Sequence, residues 1–139
     1  MKSANVLLDG DGLPRLADFG SARRIGTTQL TGASPYSTSP ERLDGAPAAP
    51  ADDIYAFGVL LYELVSGHPP FYPDVTPARV RAEAPALLEG RPTPPDALRD
   101  LVARCLAKTP PQRPATMREL RVELAQVLEH DAAHGVVVL

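Results

Sequence analysis

The chain has 139 residues, of which 44% are hydrophobic and 22% are charged, and its formal net charge is -3. These values are typical of one soluble globular domain, and they argue against a strongly basic surface for nucleic acid or anionic membrane. The single cysteine excludes an internal disulfide and a cysteine-built metal site. The longest apolar run, at 56–65, is too short to span a bilayer, which needs about 20 residues. We therefore expect a cytoplasmic protein without a membrane or nucleic-acid partner.

The first twenty residues predict a β-hairpin with polar side chains at its open end. Two short apolar runs flank a Gly-rich turn at 10–12. Asn5 precedes the first run and Asp18 follows the second, so a hairpin would bring an amide oxygen and a carboxylate to the same place. Lys2 adds an ammonium group beside them. Two oxygen ligands next to a cation suit a divalent metal ion bound to phosphate.

The turn of this hairpin contains two aspartates and could be interpreted as a calcium-binding loop. Such a loop needs a bidentate glutamate at its twelfth position, and counting from Asp9 that position is Gly20. The favoured interpretation is a tight turn with glycine at positive φ.

A long loop and a central helix are predicted next. Residues 21–39 are rich in Ser, Thr and Gly and have no hydrophobic period, which indicates a surface loop. Residues 52–65 predict a helix that is apolar on nearly every side and therefore buried. Asp52 or Asp53 can cap its start, and Gly67 marks its end.

Three further helices are predicted in the second half of the chain. Thr76, which is followed by proline, is typical of a helix start. A helix from Asp96 would bury one stripe of side chains, and Thr116 with Glu119 forms a capping-box pattern before the last helix. The stripe consists of Leu98, Leu101, Val102 and Cys105.

Several of these segments together resemble a protein kinase. Lys-x-x-Asn at 2–5, a hairpin and Asp-Phe-Gly at 18–20 are similar to the end of the kinase catalytic loop and its metal-binding motif. Ser-Pro-Glu at 39–41 resembles the family's Ala-Pro-Glu. Residues 53–58 resemble the central-helix signature Asp-x-Trp-x-x-Gly with Tyr in place of Trp, and Arg-Pro at 113–114 resembles the late kinase motif.

This resemblance implies a fold that is mainly α with a small N-terminal β-hairpin, the C-terminal lobe of a protein-kinase-like domain without its N-terminal lobe. Residues 1–130 would form this partial domain, and residues 131–139 a C-terminal tail. The family pattern His-Arg-Asp-Leu-x-x-x-Asn places the catalytic Asp immediately before Met1, outside the chain. No Gly-x-Gly-x-x-Gly occurs either, so we expect the chain to be inactive by itself.

The resemblance also implies roles in binding ATP and magnesium. Asn5 and Asp18 would hold the metal ions that bridge the ATP phosphates, and Phe19 and Gly20 complete the cofactor-binding motif. Lys2 occupies the position that neutralises the transferred γ-phosphoryl group in serine/threonine kinases.

A second group of roles concerns the protein substrate and the scaffold. Ser34 corresponds to the substrate-loop Thr of the family, and together with Lys2 it favours a Ser or Thr acceptor. The loop at 21–39 corresponds to the activation segment of the family, and Glu41 and Arg113 would form a buried ion pair that ties it to the C-terminal helices. Asp53 would cap the central helix and bond to the catalytic-loop backbone.

The sequence leaves three hypotheses, of which a serine/threonine kinase fragment is favoured. The others are a non-catalytic kinase-like scaffold that binds a partner and a degenerate remnant. In the family another helix packs on the central one, so we expect an exposed apolar face that binds the missing N-terminal lobe or a second copy. Arg23 and Arg24 could bind a phosphorylated loop residue or could be solvated.

Overall fold

The computed structural model describes residues 2–28 and 34–133, and within them a small hairpin precedes a group of helices. This arrangement confirms the predicted class, mainly helical with a two-stranded antiparallel sheet at the N-terminus. Single 3-10 turns occupy Ser3–Asn5, Phe19–Ser21, Pro35–Ser37 and Pro110–Gln112. The strands and helices are β1 (Val6–Leu8), β2 (Pro14–Leu16), α1 (Pro40–Leu43), α2 (Pro50–Ser66), α3 (Pro77–Ala82), α4 (Asp96–Cys105) and α5 (Met117–Ala133).

The hairpin turn is held by its own first aspartate. The carboxylate of Asp9 accepts hydrogen bonds from the backbone N–H groups of Asp11 at 3.0 Å and Leu13 at 2.9 Å. Gly12 has a φ of 77°, which only glycine adopts without strain. The tight turn is therefore confirmed, and the Asp9 carboxylate is engaged by the backbone.

Helix α2 contributes to both clusters of the hydrophobic core because two of its faces are apolar. One face packs with residues from α3 and α4, and the other packs on α4 and α5. The larger cluster includes Tyr55, Val59, Tyr62, Val80, Leu98 and Val102, and the smaller one consists of Ile54, Leu101, Cys105 and Leu120. The buried stripe predicted for α4 is confirmed.

A glycine lets α2 and α4 approach each other closely. A Cβ atom at Gly58 would lie 2.6 Å from the Cβ of Cys105, a distance that real side chains do not tolerate. Burial raises the pKa of the Cys105 thiol to about 11. This cysteine is a core residue, as predicted.

The start of α2 differs from the prediction. The helix begins at Pro50, and the residue before it, Ala49, has no side-chain acceptor. The Asp52 carboxylate instead accepts the Ala49 N–H at 2.8 Å, as a residue at the third helical position can do. The Asp53 side chain is exposed, and its carboxylate makes no hydrogen bond within the described residues. Of the two predicted caps, Asp52 or Asp53, the structure confirms Asp52, and the contact with the catalytic-loop backbone expected of Asp53 stays a prediction.

One stripe of α2 is not buried, contrary to the expectation of a helix enclosed on every side. Phe57 and Leu61 are half-buried and Leu64 is exposed. The reason is that α4 and the segments around it cover the opposite faces. This stripe agrees in part with the predicted exposed apolar face on the central helix.

Exposed apolar side chains also lie on the hairpin and on the 3-10 turn that follows it. Five large ones, which we call the hairpin apolar group, are between 46% and 71% exposed. A three-residue strand pair has too few neighbours to cover them. The group consists of Leu7, Leu8, Leu13, Leu16 and Phe19.

The predicted helix starts in the second half are confirmed. Thr76 accepts the N–H of Arg79 at 3.2 Å, and Thr116 accepts that of Glu119 at 3.1 Å. The Glu119 carboxylate reaches back to the N–H of Ala115 at 2.8 Å. Among the described residues no helix is long and apolar enough to cross a membrane. Residues 134–139 of the predicted tail lie outside the described part.

Candidate functional site

The open end of the hairpin carries the two predicted oxygen donors. The Ala17 N–H donates to the backbone carbonyl of Asn5 at 2.7 Å, and this bond extends the ladder by one residue. Asp18 directly follows Ala17, so Asn5 and Asp18 are held at the same end of the hairpin. Asp18 has a φ of 59°, in the left-handed region, and its carboxylate accepts the Gly20 N–H at 3.2 Å. Aspartate tolerates this conformation better than most residues.

Gly20 leaves room for the Asp18 carboxylate. A Cβ atom at Gly20 would lie 3.1 Å from Oδ1 of Asp18, a contact that would force the carboxylate to move. The intervening Phe19 side chain is largely exposed. The motif therefore presents its carboxylate and its aromatic ring at the surface.

The donor set at this end fits a magnesium ion that is bound together with phosphate. Magnesium keeps several waters and is usually held by one or two carboxylates plus phosphate oxygens. Asn5 and Asp18 offer one amide oxygen and one carboxylate. The described residues contain no group of three or more His, Cys, Asp or Glu side chains that could hold a metal. The protein donors described here are thus consistent with a shared metal–phosphate site.

A cleft of about 350 Å³ beside α2 brings together Lys2 and Ser34, which are far apart in the sequence. It is also lined by Glu63 of α2 and by Tyr36 and Tyr72. The cleft therefore combines a cation, a carboxylate and hydroxyl groups with apolar and aromatic walls. This composition suits a ligand that has both polar and apolar groups.

Sequence reasoning did not identify Glu63 as a residue of this cleft. A signal was available, because Glu63 is the only charged residue between 54 and 65 in an otherwise apolar helix. A carboxylate that interrupts such a helix must reach solvent or a polar site. The sequence pattern alone does not specify whether the Glu63 carboxylate reaches solvent or a polar site.

The backbone around Ser34 is held by two hydrogen bonds. Its carbonyl oxygen accepts the Ser37 N–H at 3.1 Å and the Thr38 hydroxyl at 2.7 Å. Thr38 and the following Ser39 are buried. The segment that lines the cleft is therefore anchored from its C-terminal side.

The ion pair predicted between Glu41 and Arg113 is present and bidentate. The two distances are 2.6 and 2.7 Å, and the Arg113 side chain is fully buried. Arg113 also donates to the carbonyls of Ala107 and Ala51, and its guanidinium lies 5.0 Å from the Tyr55 ring centre. Burial raises the pKa of Glu41, but hydrogen bonds, led by that from Arg113, outweigh burial and lower it overall.

Comparison with known proteins places this arrangement in a family. The family model described as "Protein kinase domain" matches residues 1–131. The chain belongs to the protein kinase family. Its fold is also similar to the kinase PK-1 of the Cydia pomonella granulovirus, with a TM-score of 0.72 over 86% of this chain and 46% of that one. At 24% sequence identity this second likeness supports the fold alone.

Bacterial serine/threonine protein kinases are among the curated proteins that the chain is similar to. PkaA of Streptomyces coelicolor is 38% identical over 133 residues, which cover 88% of this chain and 24% of PkaA. PknL of Mycobacterium tuberculosis is 34% identical over 142 residues, which cover 93% of this chain and 35% of PknL. The chain thus spans between a quarter and about a third of these relatives.

The kinase activation segment is described on both sides of residues 29–33. Arg23 donates to the carbonyls of Gly20 at 3.2 Å and Ala22 at 2.9 Å, so it has local backbone partners. The Thr27 hydroxyl donates to the Arg24 carbonyl at 2.8 Å. The sequence offers seven candidate phosphorylation sites without choosing among them, and of these only Thr31 lies outside the described residues; the seven are Thr27, Thr28, Thr31, Ser34, Ser37, Thr38 and Ser39. Whether the two arginines bind a phosphorylated residue stays an open alternative.

Proposed function

We propose that this chain is the part of a serine/threonine protein kinase that holds the metal–phosphate end of ATP and the acceptor segment of a protein substrate. The observation that carries the proposal is the cleft shared by Lys2 and Ser34. A lysine and a serine that line one cleft fit a site where an acceptor hydroxyl meets a phosphoryl group.

In this proposal Asn5 and Asp18 bind the magnesium ions, and Phe19 and Gly20 keep the Asp18 carboxylate in its left-handed turn. When bound, magnesium and ATP supply the phosphoryl group and neutralise part of its charge. Lys2 stabilises the negative charge on the transferred group. Ser34 helps to orient the acceptor, and the Glu41–Arg113 pair is structural.

We further propose that these 139 residues alone do not transfer phosphate. They contain no Gly-x-Gly-x-x-Gly loop and no catalytic Asp ahead of Lys2, and general-base loss alone lowers rates by roughly 10²–10⁴. The hairpin apolar group and the exposed stripe of α2 are surfaces on which a kinase N-terminal lobe or a second copy would pack.

Complementation tests this function directly. The chain is mixed with, or fused to, the part of PkaA that precedes the matched region, and phosphate transfer to a Ser/Thr-containing protein is measured with labelled ATP. We expect activity only in the combination. Asp18→Asn should lower it by at least about 100-fold, because a charged metal donor is lost. Asp11→Asn, an equally exposed change in the hairpin turn, is the matched control and should retain activity.

Two results would overturn the proposal. One is activity that survives Asp18→Asn as well as it survives Asp11→Asn. The other is a folded, monomeric chain that stays inactive with every kinase N-terminal lobe tested and binds a protein without nucleotide, which would favour the scaffold alternative.

A further inference from the structure

The Asp52 carboxylate does more than cap α2, because it contacts three separate groups. It accepts the Ser39 hydroxyl at 2.7 Å and the Ala49 N–H at 2.8 Å. The Nε of Arg42 lies 3.8 Å from its second oxygen. Ser39 is almost fully buried. One carboxylate therefore joins the start of α2 to the residues on either side of Glu41.

Arg42 extends this set of contacts to the other side of the activation segment. Its side chain is 6% exposed and donates to the carbonyl of Thr27 at 2.9 Å and to that of Ala46. A buried guanidinium needs a compensating negative charge, and Asp52 lies where the helix N-terminus favours a carboxylate. Arg42 thus links residue 27 to the connection between α1 and α2.

Backbone hydrogen bonds join the same two stretches. The Gly26 N–H donates to the Ala48 carbonyl at 2.8 Å, and the Ala48 N–H donates to the Thr27 carbonyl at 2.8 Å. The Thr27 carbonyl therefore accepts from both Ala48 and Arg42. This pairing consists of only two backbone hydrogen bonds, and its residues are exposed or half-buried, so it depends on the side chains that hold it.

We propose that Ser39, Arg42 and Asp52 form a latch that fixes residues 26–28 and 38–41 to the N-terminus of α2. The latch sets where the activation segment leaves and rejoins the helical body, and so positions Ser34 beside Lys2. It is separate from the Glu41–Arg113 pair, which ties the same segment to the C-terminal helices. The latch stands on the fold and does not require the proposed catalytic function.

Amide hydrogen exchange of the full chain, resolved by NMR, tests the latch. In Asp52→Asn the amides of Gly26 and Ala48 should exchange about tenfold faster, which corresponds to about 1.4 kcal/mol. The amides of Leu101 and Val102 in α4 should keep their rates. Asp53→Asn is the matched control, since it makes the same change on the neighbouring exposed residue, and it should match the parent chain at all four amides.

A second variant keeps the test decisive if Asp52→Asn does not fold. Arg42→Lys retains the charge, but its ammonium lacks the planar fork that donates to two carbonyls together. We expect this substitution to accelerate hydrogen exchange at the same two amides, those of Gly26 and Ala48. The latch would be overturned if the Gly26 and Ala48 amides exchanged within about twofold of their rates in Asp53→Asn. This result would have to hold in Arg42→Lys and in any Asp52→Asn protein that folds, and it would leave Asp52 as a helix cap only.

Discussion

Arg113 joins four segments because a guanidinium offers five N–H donors in one plane. It satisfies the Glu41 carboxylate and two backbone carbonyls while its face covers Tyr55. No part of its side chain is exposed. These contacts explain how the core holds a full positive charge. Glu41 supplies the negative charge that compensates it.

Glu41→Gln should lower the free energy of unfolding by about 3 kcal/mol, because it leaves a buried guanidinium without its carboxylate. Urea denaturation at pH 7 measures the change. Asp44→Asn is the matched control, since Asp44 pairs with Arg81 at the surface at 2.6 Å. Such exposed pairs contribute about 1 kcal/mol or less. Equal losses in the two variants would contradict a special role for Glu41.

The stability of the chain should also depend on pH through Glu41. Its pKa in the folded chain lies below the ordinary 4.5. The pairing therefore stabilises the fold fully above about pH 4.5, and this contribution is lost as pH falls through the lowered pKa. In urea titrations from pH 7 to pH 3 the difference between the parent chain and Glu41→Gln should narrow. A difference that stays constant over this range would argue against the prediction.

At the scale of single elements, the contact between α2 and α4 depends on the missing side chain of Gly58. Gly58→Ala should lower the free energy of unfolding by about 1–3 kcal/mol, because the new Cβ collides with the Cys105 Cβ and the helices must separate. Thermal and urea unfolding measure the loss. Gly10→Ala, where no atom lies within 4 Å, is the control. Alanine has the higher helix propensity, which opposes this loss. If Gly58→Ala caused no net loss of unfolding free energy, the helices would be able to move apart freely.

Local patterns explain which elements could be predicted from the sequence. The hairpin, the buried stripe of α4 and the capping residues Thr76 and Thr116 depend on neighbours a few positions away, so periodicity and cap chemistry identify them. Asp52 and Asp53 have the same chemistry one position apart, and only the three-dimensional placement of Ser39 and Ala49 selects Asp52. The exposed stripe of α2 likewise depends on which segments pack against it.

The candidate site also contains some residues whose placement could be predicted from the sequence and others whose placement could not. Asn5 and Asp18 were predictable as neighbours because a hairpin fixes the pairing of its ends. The cleft position of Glu63 and the Arg42–Asp52 contact were not, since they join residues from separate loops and helices. The Glu41–Arg113 pair was predicted through the family resemblance, because nothing local links two residues 72 positions apart.

At the scale of the whole molecule, the exposed apolar side chains should make the chain self-associate. Leu8 is 71% exposed on the hairpin. Leu8→Glu should shift the chain towards monomer in size-exclusion chromatography with light scattering over a range of concentrations. Leu87→Glu, a change at a similarly exposed leucine in the connection between α3 and α4, is the control and should have less effect. A parent chain that is monomeric at every concentration would contradict this expectation.

The long reach of Arg113 has a consequence for how the protein is made. A ribosome adds residues in order, so Glu41, α1 and the start of α2 emerge well before the guanidinium that neutralises that carboxylate. Until then, among the contacts of the described residues, the activation segment keeps those to the start of α2 through Asp52 and Arg42. Premature termination before codon 113 should therefore leave a product that proteases remove quickly, even though most of its helices have already been translated.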